Sequence, residues 1–156
     1  MRRWIIVWYL LIPLVHSSAS GQEPLVRDER PNLMGGELGG KAVIYNFTYE
    51  RYFSHRVGVG AGFMGIGTSE GAIGLIPVYL TVTPVGNQHS LYLSVGGDIV
   101  VGSEDWDEVD SEWLTVFSVG YLYHSLNGFF VRPTMNVIFD ADDFLVLPGV
   151  ALGGSF

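Results

Sequence analysis

From residue 32 onward, bulky apolar side chains recur at every second position in segments of roughly ten residues, with small or polar residues between them. Phe129, Val131, Pro133, Met135, Val137 and Phe139 fall on one face of such a segment; Phe130, Arg132, Thr134, Asn136 and Ile138 fall on the other. Leu91, Leu93, Val95, Ile99 and Val101 likewise oppose Tyr92, Ser94, Gly96 and Asp98, and Val43, Tyr45, Phe47, Tyr49 and Phe53 oppose Asn46, Thr48 and Glu50. The last segment sets Phe144, Val146, Val150, Leu152 and Phe156 against Gly149, Ala151, Gly153 and Ser155. Period two is strand geometry, because successive side chains of a strand point to opposite faces. A half-buried strand of a soluble protein alternates in the same way, so the deciding question is what would clothe the outer face. Charged residues make up 15% of the chain and apolar ones 48%, against a usual charged share of about 25%. That is too little charge for a water-facing surface. An inside-out barrel resolves the conflict, with wide apolar faces toward lipid and small or polar residues toward a narrow lumen.

The pattern predicts eight strands, at about 32–38, 42–53, 56–66, 73–83, 90–101, 112–123, 128–139 and 144–156. An even count closes an antiparallel barrel with both termini at one end. At that end the turns Ser54-His55, Val85 to Gln88 and His124 to Asn127 are short; at the other lie Gly39 to Lys41, Gly67 to Ala72, Gly102 to Ser111 and Asp140 to Asp143. The longest connection falls on the second, outward side, as in outer-membrane barrels. Tyr49, Tyr52, Phe53, Trp113, Tyr121, Tyr123, Phe129, Phe139, Phe144 and Phe156 lie near strand ends and read as interfacial girdles.

Residues 1–20 read as a cleavable signal peptide: Arg2 and Arg3, an apolar core from Trp4 to Val15, then small and polar residues to Ser20. Residues 21–31 read as a short polar leader and 32–156 as the barrel. Losing Arg2 and Arg3 with the signal takes the net charge from −8 to −10, which argues against a nucleic-acid partner. With no cysteine, the chain has no disulfide, thiolate metal site or lipoprotein anchor. No apolar run after the N-terminus is long enough to cross a bilayer as a helix.

The lumen-facing set carries few charges. Glu37, Glu50, Asp98 and Arg132 stand with Asn46, Tyr92, Thr134 and Asn136. Glu50 and Arg132 lie near the same end on facing sides and are expected to pair, since an unpaired buried charge is costly. The pair reads as a structural plug in preference to a gate. The outward loops are acidic: Glu104, Asp105, Asp107, Glu108, Asp110 and Glu112 surround Trp106, and Asp140, Asp142 and Asp143 follow in the next loop. The spacing does not fit an EF-hand, and a solvated acidic rim is the favoured reading over a divalent-cation site. His89-Ser90 and His124-Ser125 fall on the inner turns, away from the outer leaflet where a lipid A hydrolase would act, so no catalytic residue, cofactor or metal is assigned.

The stretches Tyr45 to Phe53, Gly120 to Tyr123 and Gly128 to Pro133, and a final strand ending on Phe156 with Leu and Val at even steps before it, resemble those of small bacterial outer-membrane barrels. These are the eight-stranded OmpA/OmpX-like family, in its Bacteroidetes-type form. The resemblance implies residence in the outer membrane of a Gram-negative envelope and contact with its lipids and lipopolysaccharide. It also implies recognition of Phe156 by the barrel-assembly machinery. The expected role is non-catalytic, structural or surface-interacting, with an extracellular partner or divalent cation at the acidic loops. The alternatives are a lipid-A-modifying barrel enzyme, a narrow pore, or a soluble carrier of apolar ligands.

Overall fold

The computed structural model describes residues 25–67, 72–103, 110–140 and 143–156, with the backbone alone for 103 and 110–112. The expected signal peptide, and Glu104, Asp105, Asp107, Glu108 and Asp142, lie outside them. A four-residue helix α1 (Val26–Glu29) precedes eight strands: β1 (Asn32–Gly39), β2 (Tyr45–Tyr52), β3 (Val57–Gly67), β4 (Ala72–Val82), β5 (His89–Ser103), β6 (Asp110–His124), β7 (Phe129–Phe139) and β8 (Phe144–Ser155). Each strand pairs antiparallel with the next, and β1 closes on β8 through Leu33↔Ser155 to Gly39↔Gly149. The chain is thus a closed eight-stranded antiparallel barrel, and every strand expected from the alternation is present.

The barrel is inside out. Phe47, Phe63, Val78, Val95, Phe117, Val119, Met135 and Leu152 stand exposed on the outer wall. Asn46, Thr48, Glu50, Thr81, Ser94, Asp98, Ser118, Arg132, Thr134 and Asn136 are buried inside. Phe117, Phe139 and Phe144 stack along the outer wall across β6, β7 and β8. An outer face of this kind is stable in hydrocarbon and unstable in water. Tyr52 departs from the sequence reading. Its side chain is buried in the lumen beside Leu33, Tyr92, Leu122 and Phe130, so it fills the barrel and takes no part in an interfacial girdle. The reason is parity: Tyr52 follows Glu50 and Thr48 onto the inner face of β2.

The two ends of the barrel differ. At the turn end, the connections 53–56, 83–88 and 125–128 are tight. At the loop end, the β1–β2 connection does not project outward as the sequence suggested. A 3-10 turn (Gly40–Ala42) carries it inward, so that Lys41 and Ala42 are fully buried. Gly39 and Gly40 have positive φ, and so does Val43, at 67°. The Ile44 N–H donates to the Ala42 carbonyl at 2.7 Å, closing a γ-turn at Val43. A β-branched residue in that conformation is strained, and the buried Lys41 is what the strain holds in place. β2 accordingly starts at Tyr45, later than the alternation from residue 42 implied.

Candidate functional site

The lumen is the one place where the barrel gathers chemistry among the described residues, and the strands set its layers. Inner-face residues alternate with outward-facing ones, so each strand contributes one lumen side chain per two residues. The β3 positions Gly58, Gly60 and Gly62 contribute none, and the gap is filled from the two neighbouring strands, β2 and β4. A methyl group at Gly60 would overlap the Tyr79 ring, and one at Gly62 would overlap the Asn46 amide. The glycine run is therefore what admits large side chains into a bore this narrow.

Glu50 of β2 and Arg132 of β7 meet in the half nearer the turn end. Arg132 Nη1 donates to Glu50 Oε2 at 2.6 Å, and both residues are 1% exposed. The guanidinium carbon sits 4.4 Å from the centre of the Tyr92 ring. The Tyr92 hydroxyl donates to Glu50 Oε2 at 3.4 Å and lies 3.4 Å from Thr81 Oγ1. Leu33, Tyr52, Leu122 and Phe130 pack around this pair. For an ion pair buried this deeply, the loss of either partner leaves a buried charge uncompensated, so each depends on the other.

Toward the loop end the lumen changes character. Lys41 Nζ lies 3.6 Å from Glu37 Oε1, and over the Tyr79 and Tyr92 rings at 4.5 and 5.4 Å. Asn46 donates to Glu37 Oε2 at 3.4 Å, and Asn136 to Thr134 Oγ1 at 3.1 Å and the Leu147 carbonyl at 3.2 Å. Asp98, 1% exposed, completes the layer. Ala42, Met64 and Leu75 form an apolar cluster here, with Tyr45 and Val100 packed against it.

The turn-end mouth is crossed by the segment the sequence marked only as a polar leader. Arg27 of α1 is buried and spans two turns. Its Nε donates to the His55 carbonyl at 2.6 Å, Nη1 to the Asn87 carbonyl at 2.9 Å and Ser90 Oγ at 3.0 Å, and Nη2 to the Gly86 carbonyl at 3.1 Å. The Val26 N–H donates to Asn87 Oδ1 at 2.9 Å. Burial pushes the Arg27 guanidinium below its ordinary value, against the opposing pull of Tyr52, Asp28 and Glu50. The surrounding carbonyls offset that burial, as charge-assisted hydrogen bonds do. Across the mouth, Arg30 donates to the Ser155 carbonyl at 3.3 Å. Phe156, exposed on the wall, exchanges backbone hydrogen bonds of 3.0 Å with Asn32 in both directions.

The sequence picked out Glu37, Glu50, Asp98 and Arg132 for the lumen, and the structure places all four there. It missed Arg27 and Lys41, because both lie outside any alternating segment and nothing local marks them as inward. Of the acidic loop residues, Asp140 and Asp143 form a tight turn in which the Asp140 N–H donates to the Asp143 carbonyl at 3.0 Å, and Asp143 Oδ1 accepts from the Phe144 N–H at 2.8 Å. Asp110 and Glu112 begin β6 opposite Gly102 and Val100. Among the described residues no group of three or more His, Asp or Glu side chains is arranged to hold a metal ion. The His-Ser neighbours of the sequence do not pair with each other. His124 Nε2 instead lies 2.6 Å from Ser155 Oγ, in a buried contact where His124 Nδ1 has no partner.

No protein-family model matches the chain, and no curated protein matches it. Among solved structures it is similar to the N-terminal β-barrel domain of Pseudomonas aeruginosa OprF, with a TM-score of 0.62 at 12% identity over 80% of this chain and 96% of that one. It is also similar to Ail, the attachment invasion locus protein of Yersinia pestis, with a TM-score of 0.44 at 16% identity over 80% of this chain and 94% of that one. At such identities the OprF likeness speaks to the barrel architecture alone.

Proposed function

We propose that this chain is a non-catalytic integral barrel of a Gram-negative outer membrane, serving the envelope structurally or through its loop-end surface. The observation that carries the reading is the inversion of the barrel: a continuous apolar wall outside and a lumen filled by interlocking polar and aromatic side chains. The wall requires hydrocarbon around it. The filling leaves the Glu50–Arg132 layer as a plug, so the lumen serves stability before transport. Tyr52, Tyr92, Phe130 and Leu33 occupy the space that a ligand carrier would keep open. The lipids and lipopolysaccharide of the membrane are the partners the wall would meet. The barrel-assembly machinery would read the terminal strand, and an extracellular partner or divalent cation would act at the acidic rim.

The test is cell fractionation followed by gel electrophoresis of unboiled and boiled samples. A membrane barrel stays folded in detergent and changes mobility only on heating. Outer-membrane recovery with a heat shift, and no steady conductance in planar bilayers, is the expected result. A soluble periplasmic band without a shift would overturn the reading in favour of a carrier. Altered lipid A in cells producing the protein would overturn the non-catalytic part alone.

A further inference from the structure

We propose that the loop-end half of the lumen binds one small monovalent cation against Asp98, between the wall and the inserted Lys41. The argument is a count of hydrogen-bonding groups and of charges. Both Asp98 carboxylate oxygens, Glu37 Oε1, Asn46 Oδ1 and Asn136 Oδ1 are buried there without a hydrogen-bond donor. The four residues that carry them are each at most 1% exposed. Lys41 Nζ and the Tyr79 hydroxyl are buried in the same layer without partners too, so donors are present for some of these acceptors, and the charge balance decides what else the layer holds.

Water entering the layer supplies O–H groups but no charge. The charge is also unbalanced. Glu37 and Asp98 bring two carboxylates, and Lys41, the single lysine of the sequence, brings one ammonium. No basic residue occurs in the loops 68–71, 104–109 or 140–143 that could reach in from above. Arg132 is engaged below by Glu50 and lies against Tyr92, whose ring also faces Lys41. Arg27 is held at the far mouth by turn carbonyls. One buried negative charge is therefore left without a counterpart in its own layer, which is the costly case.

The donors are all hard oxygens, the preference of alkali and alkaline-earth cations. The acid count decides between those classes. No cage of three or more acidic ligands exists among the described residues, and a single missing charge matches a single positive one, so the occupant is of the sodium or potassium class. Lys41, carried inward by the Gly40–Ala42 turn, supplies the first positive charge of the layer.

The test compares the heat-shift midpoint of the full refolded chain in sodium chloride and in N-methylglucamine chloride at equal ionic strength. The organic cation screens the acidic rim equally but is too large for the lumen. Sodium should raise the midpoint of the native protein by a few degrees. Asp98→Asn should abolish the difference while remaining folded, because it removes the unmatched charge. Lys41→Gln should enlarge the difference, and if that variant does not assemble, the Asp98→Asn comparison decides alone. Equal midpoints in the two salts for the native protein would overturn the proposal; if stability then rises on acidification, the missing charge is a proton shared among Asp98, Glu37 and the facing Lys41, Tyr79 and Tyr92. A sodium preference undiminished in Asp98→Asn would also overturn it and move the cation to the acidic rim. Because each comparison uses assembled barrel, failure of the cation site leaves the membrane reading intact.

Discussion

Arg132 Nη1 and Glu50 Oε2 stand 2.6 Å apart, across the barrel from β7 to β2, with both side chains buried among aromatic rings and aliphatic side chains. The residues are far apart in sequence, and only closure of the sheet brings them together. Removing one partner leaves the other as an uncompensated buried charge. Arg132→Ala should therefore cost about 3–5 kcal/mol of barrel stability, and Glu50→Ala a comparable amount. The double variant should lose much less than the sum. Urea unfolding in lipid vesicles gives the cycle, and additive losses would mean the two groups do not support each other.

Arg27 makes four hydrogen bonds to two turns and one strand residue at the mouth. Arg27→Ala should lower stability by roughly 2–3 kcal/mol and loosen the turns around His55 and Asn87. Amide exchange measured at those turns should rise more than in the strand centres. Arg27→Lys should recover only part of the loss, because an ammonium lacks the planar fork that reaches several carbonyls at once.

The Tyr79 ring occupies the space over Gly60. Gly60→Ala should cost on the order of 1–3 kcal/mol by overpacking. Gly60→Ala combined with Tyr79→Ala should lose less than the two single changes added together, since the ring that collides is gone. Denaturant midpoints of the four proteins test this coupling.

Phe156 ends the chain on the outer wall and is hydrogen-bonded through its backbone to Asn32. Deleting it should reduce the heat-shifting fraction recovered from the outer membrane, and Phe156→Ala should do so less severely because it keeps the backbone bonds. Equal assembly rates for all three proteins would show that the terminal residue carries no assembly signal.

The strands were legible because their signal is local. Two-residue alternation needs no knowledge of neighbours, and the shortage of charge told that the apolar face points outward. The same alternation put Glu50, Arg132, Glu37 and Asp98 in the lumen, as their burial shows. It misjudged Tyr52, where closeness to a turn suggested an interface although strand parity pointed inward. It also set the acidic loop too wide, since β5 runs to Ser103 and β6 begins at Asp110, inside the expected 102–111 connection.

The residue pattern alone determined an even number of antiparallel strands, an apolar outer wall and a polar bore, since each follows from side-chain alternation and the cost of exposing or burying a group. The Glu50–Arg132 pair was expected from the sequence as well; tertiary structure decided what else enters that bore. The Lys41 turn folds inward because positive φ at Gly39, Gly40 and Val43 redirects the chain, and Arg27 crosses the mouth because carbonyls from separate turns converge there. Both depend on barrel closure, which sets distances between residues that share no local period and so leave no trace in the order of the amino acids.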